Sequence, residues 1–204
     1  MEAKIISTIN QKGGVGKSTI TAMLAVATAL REKKSKVLIL EVDPQRSIFS
    51  LSQLEDDKVV VDIGYEPKNL LNGLKSTISE YSHIFIDTQG NISNKINKQA
   101  AEIADLIIVP FGPTVLDLDP AINTVSAVRN TESTAKIYGL LNRVRPNVKG
   151  VTECLDTVGQ HCDLFDSYLS ERVAYGRDIS LVEDANTENL QFRSIYNQFK
   201  RLIK

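Results

Sequence analysis

Short apolar runs alternate with longer amphipathic stretches along this 204-residue chain. Continuous apolar runs of strand length are the mark of strands buried on both faces. Their alternation with helical stretches predicts an α/β fold with a mostly parallel twisted central sheet flanked by helices on both faces. Residues 4–10 predict the first strand, and residues 17–32, rich in Ala, Leu and Met, the first helix. Further strands are predicted over 37–40, 59–62, 84–87, 106–110 and 137–142. Pro44 stops the second strand. Helices are predicted over 47–54, from Pro67 to about 81, and over 95–104. Asp119-Pro120 predicts the start of a helix running to about 129. The tail is helical: Ser180 and Glu183 have capping-box spacing, and residues 189–203 predict a last helix. There is no repeat, low-complexity segment or linker, so residues 1–204 are expected to form a single domain.

Composition narrows the classes. Charges nearly cancel, with 24 Lys+Arg against 25 Asp+Glu, which excludes a uniformly basic or acidic chain but not a local basic patch. Two cysteines exclude a disulfide scaffold and a four-cysteine zinc site. Cys154 and Cys162 are read as ordinary buried thiols, and His83 and His161 lack metal-ligand spacing. The N-terminus lacks a signal-peptide pattern, and no apolar run reaches 18 residues. A cytoplasmic chain is expected, with a membrane partner not favoured.

The most informative stretch joins the first strand to the first helix. It reads Gln11-Lys12-Gly13-Gly14-Val15-Gly16-Lys17-Ser18-Thr19. A glycine-rich turn between a strand and a helix is the setting of a phosphate-binding loop. Glycines let the backbone curl so that several N–H groups aim at phosphate oxygens, and the helix N-terminus adds partial positive charge. Lys17 is then placed to reach the β and γ phosphates, and the Ser18 hydroxyl to ligate Mg²⁺. Gln11 stands where the general pattern has glycine. Asp43 and Asp87 each end a predicted strand, where carboxylates face the ligand crevice of an open α/β sheet. Asp87 suits the Walker B role of holding Mg²⁺.

The run Lys12-Gly-Gly-Val-Gly-Lys17-Ser18 resembles the deviant Walker A box of the ParA/MinD class of P-loop ATPases. The resemblance extends through Glu41-Val-Asp43-Pro-Gln45, Asp87, the run from Ala104 to Pro110, and Gly112-Pro113-Thr114. It departs at Glu41, where aspartate is common, and at Thr88-Gln89-Gly90-Asn91, where members often have prolines. It implies an ATPase using ATP and Mg²⁺, in which Lys12 contacts nucleotide bound in the opposite subunit of a homodimer. It also implies that Asp43 positions the attacking water and that the amide of Asn142 contacts adenine. Guanine is disfavoured independently. Neither Asn142-Arg143-Val144-Arg145 nor Asn94-Lys95-Ile96-Asn97 supplies the aspartate that would accept from guanine.

The chain is most similar to the short plasmid-partition members of the class, which lack an N-terminal DNA-reading extension. Such proteins bind DNA non-specifically as ATP dimers, associate with the nucleoid, and are stimulated by a small centromere-binding partner. Basic residues suited to phosphate contacts are Arg129, Lys136, Arg143, Arg145, Lys149, Arg172, Arg177, Lys200, Arg201 and Lys204. Three rival readings compete with this one. One is a MinD-like ATPase that cycles on membranes through its amphipathic C-terminal helix, though a helix docked on the domain is favoured. The second, a metabolic or electron-transfer enzyme on the same fold, is set aside: neither Cys154 nor Cys162 lies where cluster-ligating cysteines would flank the nucleotide region, and nothing indicates a carboxylating substrate pocket. The third is a non-hydrolysing sensor, which the intact Lys12, Lys17, Ser18, Asp43 and Asp87 argue against.

Overall fold

A computed structural model describes residues 3–32, 35–43, 48, 61–65, 74, 78–90, 95–171 and 190–204. The strands are β1 (Lys4–Thr8), β2 (Val37–Glu41), β3 (Val61–Tyr65), β4 (His83–Asp87), β5 (Leu106–Phe111), β6 (Lys136–Leu141) and β7 (Asp163–Leu164). They form one sheet in the order β3-β2-β4-β1-β5-β6-β7, with every pairing parallel. The described helices are α1 (Lys17–Arg31), α2 (Lys95–Glu102), α3 (Val115–Arg129), α4 (Val151–Gly159) and α5 (Leu190–Leu202), with a 3-10 turn at Ile78–Glu80.

Strand alternation sorts the side chains into two layers. Ile6, Ile39, Phe85, Ile108 and Leu140 pack with α1 and α5 on one face. Ile107, Val109, Phe111 and Leu141 pack with α3 on the other, while Ile5, Leu38, Leu40, Ile84 and Ile86 continue that face toward β2 and meet α2 at Ala100. The apolar face of α5 is consumed in this core: Phe192, Ile195, Tyr196 and Phe199 are all buried, and the Phe199 ring lies 5.8 Å from that of Phe85. Each such side chain contributes about 1.5–3 kcal/mol. The docked reading of the terminal helix therefore describes the structure. No described helix is long and apolar enough to cross a membrane.

Several boundaries differ from expectation. The helix expected at Asp119-Pro120 starts earlier, at Val115, with Thr114 as N-cap and Pro120 inside it. The strand expected over 59–62 is described from Val61 and runs on to Tyr65, its register with β2 set from Val37↔Val61 to Glu41↔Tyr65, while residues 59 and 60 lie outside the described residues. The sequence reading passed over α4 and β7; α4 follows the left-handed Gly150 with no side-chain cap, and β7 has two residues. The helix expected over 47–54, most of the one from Pro67, and the capping box at Ser180 lie outside the described residues, except that Ile48 and Leu74 are helical. Both cysteines are free and buried.

Candidate functional site

The site sits where the strands end. Between β1 and α1 the loop turns through Gly14 (φ +74°) and Gly16 (φ +94°), a left-handed conformation that L side chains resist. Gly16 is the N-cap of α1 and offers no side-chain cap. The first N–H groups of α1 thus keep no side-chain acceptor from their N-cap, as an anion site requires. Val15 is buried, Gly13 and Gly14 are exposed, and Ser18 and Thr19 open the helix. The Lys17 ammonium folds back and donates to the Lys12 carbonyl at 3.0 Å. Burial pushes the Lys17 pKa down, while Asp87 and Asp43 oppose that shift.

Asp87 ends β4 and pairs in register with Thr8 on one side and Glu41 on the other. It is fully buried, and neither carboxylate oxygen has a hydrogen-bond partner. Burial lifts its pKa to about 7. The adjacent Ser18 hydroxyl and Lys17 favour the charged form without closing a bond of ordinary geometry, and Glu41 and Asp43 push the other way. An orphaned buried carboxylate beside a hydroxyl is a donor set that fits Mg²⁺. Ser18 and Asp87 would hold the ion, which would supply charge neutralisation for phosphate oxygens.

Asp43 follows β2, and the bond from Val42 N–H to the Asp87 carbonyl (3.0 Å) keeps the two segments adjacent. Glu41 is buried and its Oε1 accepts the Ile48 N–H at 2.7 Å. That fixes a structural task for the glutamate. On the other side of Asp87, the Thr88 hydroxyl donates to the Thr8 carbonyl at 2.8 Å. Gly90 lies against the loop so closely that a Cβ would stand 3.2 Å from the Gly13 nitrogen.

Lys12 occupies the rim. Its Nζ donates to Asp117 Oδ1 at 2.7 Å and to the Leu116 carbonyl at 3.1 Å. Pro120 explains the second bond. In a helix the Leu116 carbonyl would accept the N–H of residue 120, and proline has none. Lys12 takes the freed acceptor. Asp117 also accepts from the Thr114 hydroxyl, and any side chain at Gly112 would collide with it. Its carboxyl is held below the usual range by Lys12 and Thr114, against the opposing effect of burial. Thr124 closes the same surface: it donates to the Pro120 carbonyl at 2.7 Å and accepts the Gln11 N–H at 3.1 Å.

Asn142 follows β6 and reaches the loop. Its Nδ2 donates to the Val15 carbonyl at 2.8 Å, and its Oδ1 accepts the Arg143 N–H at 2.8 Å. Arg143 Nη1 donates to the Gly14 carbonyl at 2.6 Å, and Nη2 lies 3.5 Å from Glu171.

The fold therefore brings together Lys12, Gly13 to Thr19, Asp43, Asp87 and Asn142 at one end of the sheet. The described basic residues are not all brought together. Lys136 heads β6 and binds the Leu202 carbonyl, whereas Arg143, Arg145 and Lys149 follow the far end of that strand. Lys200 pairs with Glu32 and Arg201 with Asp166; Arg172 and Arg177 lie outside the described residues. The sequence gives no site role to Asp117 or Thr124, names Thr114 only within the Gly112-Pro113-Thr114 likeness, and suggests for Arg143 no role beyond a DNA contact. A proline five residues after Val115 was the available signal, because it frees a carbonyl in the first turn of the helix.

The family model of the CobQ/CobB/MinD/ParA nucleotide binding domain matches residues 6–180. The chain belongs to this family. Among relatives, a maintenance of carboxysome distribution protein A from Gloeobacter kilaueensis is 31% identical over 149 residues, covering 72% of this chain and 66% of that protein. The match thus spans slightly less than two thirds of that relative, and 30% of two mycobacterial ones. Among solved structures, a plasmid partition protein from Borrelia burgdorferi bound to AMPPNP superposes with a TM-score of 0.76 at 21% identity, covering 98% of this chain and 99% of that one. Cobyrinic acid a,c-diamide synthase from Mycobacterium smegmatis, with bound ADP and magnesium, gives 0.65 at 19% identity, covering 90% and 93%. These likenesses place the fold with the ParA-like P-loop ATPases.

Proposed function

We propose that this chain is an ATP-driven segregation ATPase acting as one domain over residues 1–204. ATP and Mg²⁺ bind at the loop, two chains close into a sandwich dimer, and the dimer binds DNA without sequence preference. Slow hydrolysis, stimulated by a small centromere-binding partner, releases it; the chain works in the cytoplasm on the nucleoid. The observation that carries this reading is the place of Lys12. Its side chain is 35% exposed on the rim, beside the exposed pair Val115 and Leu116, which suits a group that crosses to a second copy. Lys17 and Ser18 serve the phosphates and the ion, Asp87 the ion, and Asp43 the attacking water. Asn142 retains a second amide hydrogen for the adenine.

The Gloeobacter relative supports a second cargo class, a protein assembly positioned along the nucleoid by the same cycle. Membrane cycling through α5 is disfavoured, because its apolar face is already packed.

The test is fluorescence anisotropy of a labelled duplex of arbitrary sequence, with ATP, ADP or no nucleotide, at two salt concentrations. ATP-dependent, salt-sensitive binding that Lys12→Ala abolishes is expected. Equal binding in all three nucleotide states would sink the proposal.

A further inference from the structure

One dipeptide grips two successive carbonyls of the phosphate loop. Asn142 holds that of Val15 and Arg143 that of Gly14. A trans peptide is planar, so each carbonyl points opposite to the N–H that follows it. Fixing these carbonyls toward the end of β6 turns the N–H groups of Val15 and Gly16 away from β6. β1 and β4, with Lys17 and Asp87, lie on that side of the sheet order. Glycines at 14 and 16 leave these peptide planes free to rotate unless something outside the loop holds them.

The grip is itself held. Arg143 sits at φ +61°, which carries its side chain back over the loop, and its N–H is capped by Asn142. Glu171 stands beside Nη2 and also pairs with Arg145. The Asn142 amide packs on Gly16 with no slack: a Cβ there would overlap its nitrogen.

We propose that Asn142 and Arg143 are positioning residues that preset the two central peptide planes of the loop. Affinity for the phosphates, whatever base they carry, depends on this pair. The proposal rests on the loop binding nucleotide, and it gives Asn142 a task separate from contact with adenine.

The experiment is calorimetric titration of the full chain with pyrophosphate, ATP and GTP, for Asn142→Ala, Arg143→Ala and Arg143→Lys. Arg143→Ala is expected to weaken all three ligands by the same factor, about tenfold, the effect of one lost bond to a preorganised carbonyl; Asn142→Ala is expected to weaken each by at least that factor, with ATP losing its adenine contact besides. Arg143→Lys keeps one donor and is expected to recover most of the loss, which a general packing defect would not do. Thermal unfolding without ligand checks that the variants fold, and Arg143, half exposed, is the safer site. Unchanged pyrophosphate affinity, with loss confined to the preference for ATP over GTP, would overturn the proposal and leave Asn142 as a base contact alone. Failure of the unaltered chain to bind pyrophosphate or ATP would sink the nucleotide reading, and this inference with it.

Discussion

Lys17 and Lys12 belong to one loop, five residues apart, and live under opposite conditions. Lys17 is 7% exposed, its pKa is lowered by burial, and the carboxylate nearest to it in influence, Asp87, has no hydrogen-bond partner. Lys12 is a third exposed and has two acceptors, one of them a carboxylate tuned to receive it. The inner side of the loop is under-compensated: its buried charges are stabilised by a ligand that brings phosphates and a cation. The outer side is already compensated, so Lys12 must leave Asp117 before it can act elsewhere. Binding at the first side and release at the second are thus separate free-energy terms, and mutations can move them independently.

The largest expected effect breaks the inner side. Asp43→Ala should lower ATP turnover by about 10²- to 10⁴-fold while ATP affinity stays within about threefold, read by phosphate release and calorimetry. Persisting turnover would remove Asp43 from the water-positioning role. Next comes Asp87→Asn. In the ligand-free chain the Asp87 pKa is raised from 3.8 to about 7. Between those values the folded state binds a proton that the unfolded state has released, so its stability falls as pH rises through that window. The asparagine variant should therefore unfold several degrees above the parent at pH 8, with the gap closing toward pH 4, while losing Mg²⁺-dependent ATP binding. A gap independent of pH would mean that Asp87 is not the titrating group.

The outer side gives smaller changes. Asp117→Ala should cost about 1 kcal/mol of stability or less, since Lys12 is partly solvated. It should also lower, by a few-fold, the protein concentration at which ATP drives dimerisation, measured by sedimentation. Loss of dimerisation would show that Asp117 acts within the dimer rather than as a clamp on Lys12. Smallest is Pro120→Ala, which returns an N–H to the Leu116 carbonyl. The unfolding midpoint should rise by a degree or two and nucleotide affinity stay within about twofold. A fall in the midpoint would mean that the Lys12 contact outweighs the restored helix bond.

Much of the inner side was legible in the sequence. Gly-Gly-Val-Gly-Lys-Ser between a strand and a helix is a local pattern, and a strand-end aspartate is set by where its apolar run stops. Strand registers were less legible, as β3 shows, because the partner strand decides which residues pair. The start of α3 was misread for a related reason. Proline is most at home in a first turn, so Pro120 suggested a start, yet here its missing N–H is offset by an acceptor relation with Lys12, more than a hundred residues away in sequence. The described basic residues do not all share one end of the sheet, which no one-dimensional count reveals.

What the sequence determined by itself is the class of fold, the phosphate loop and the family, because these rest on periodicity and on contiguous residues whose chemistry is local. Only the tertiary structure decided that Asp87 is an orphan, that Lys12 is parked on Asp117, and that Asn142 and Arg143 bond to the Val15 and Gly14 carbonyls of the loop. Each of those facts joins residues far apart in the chain, and a sequence does not carry the distance between them until the sheet order has set it.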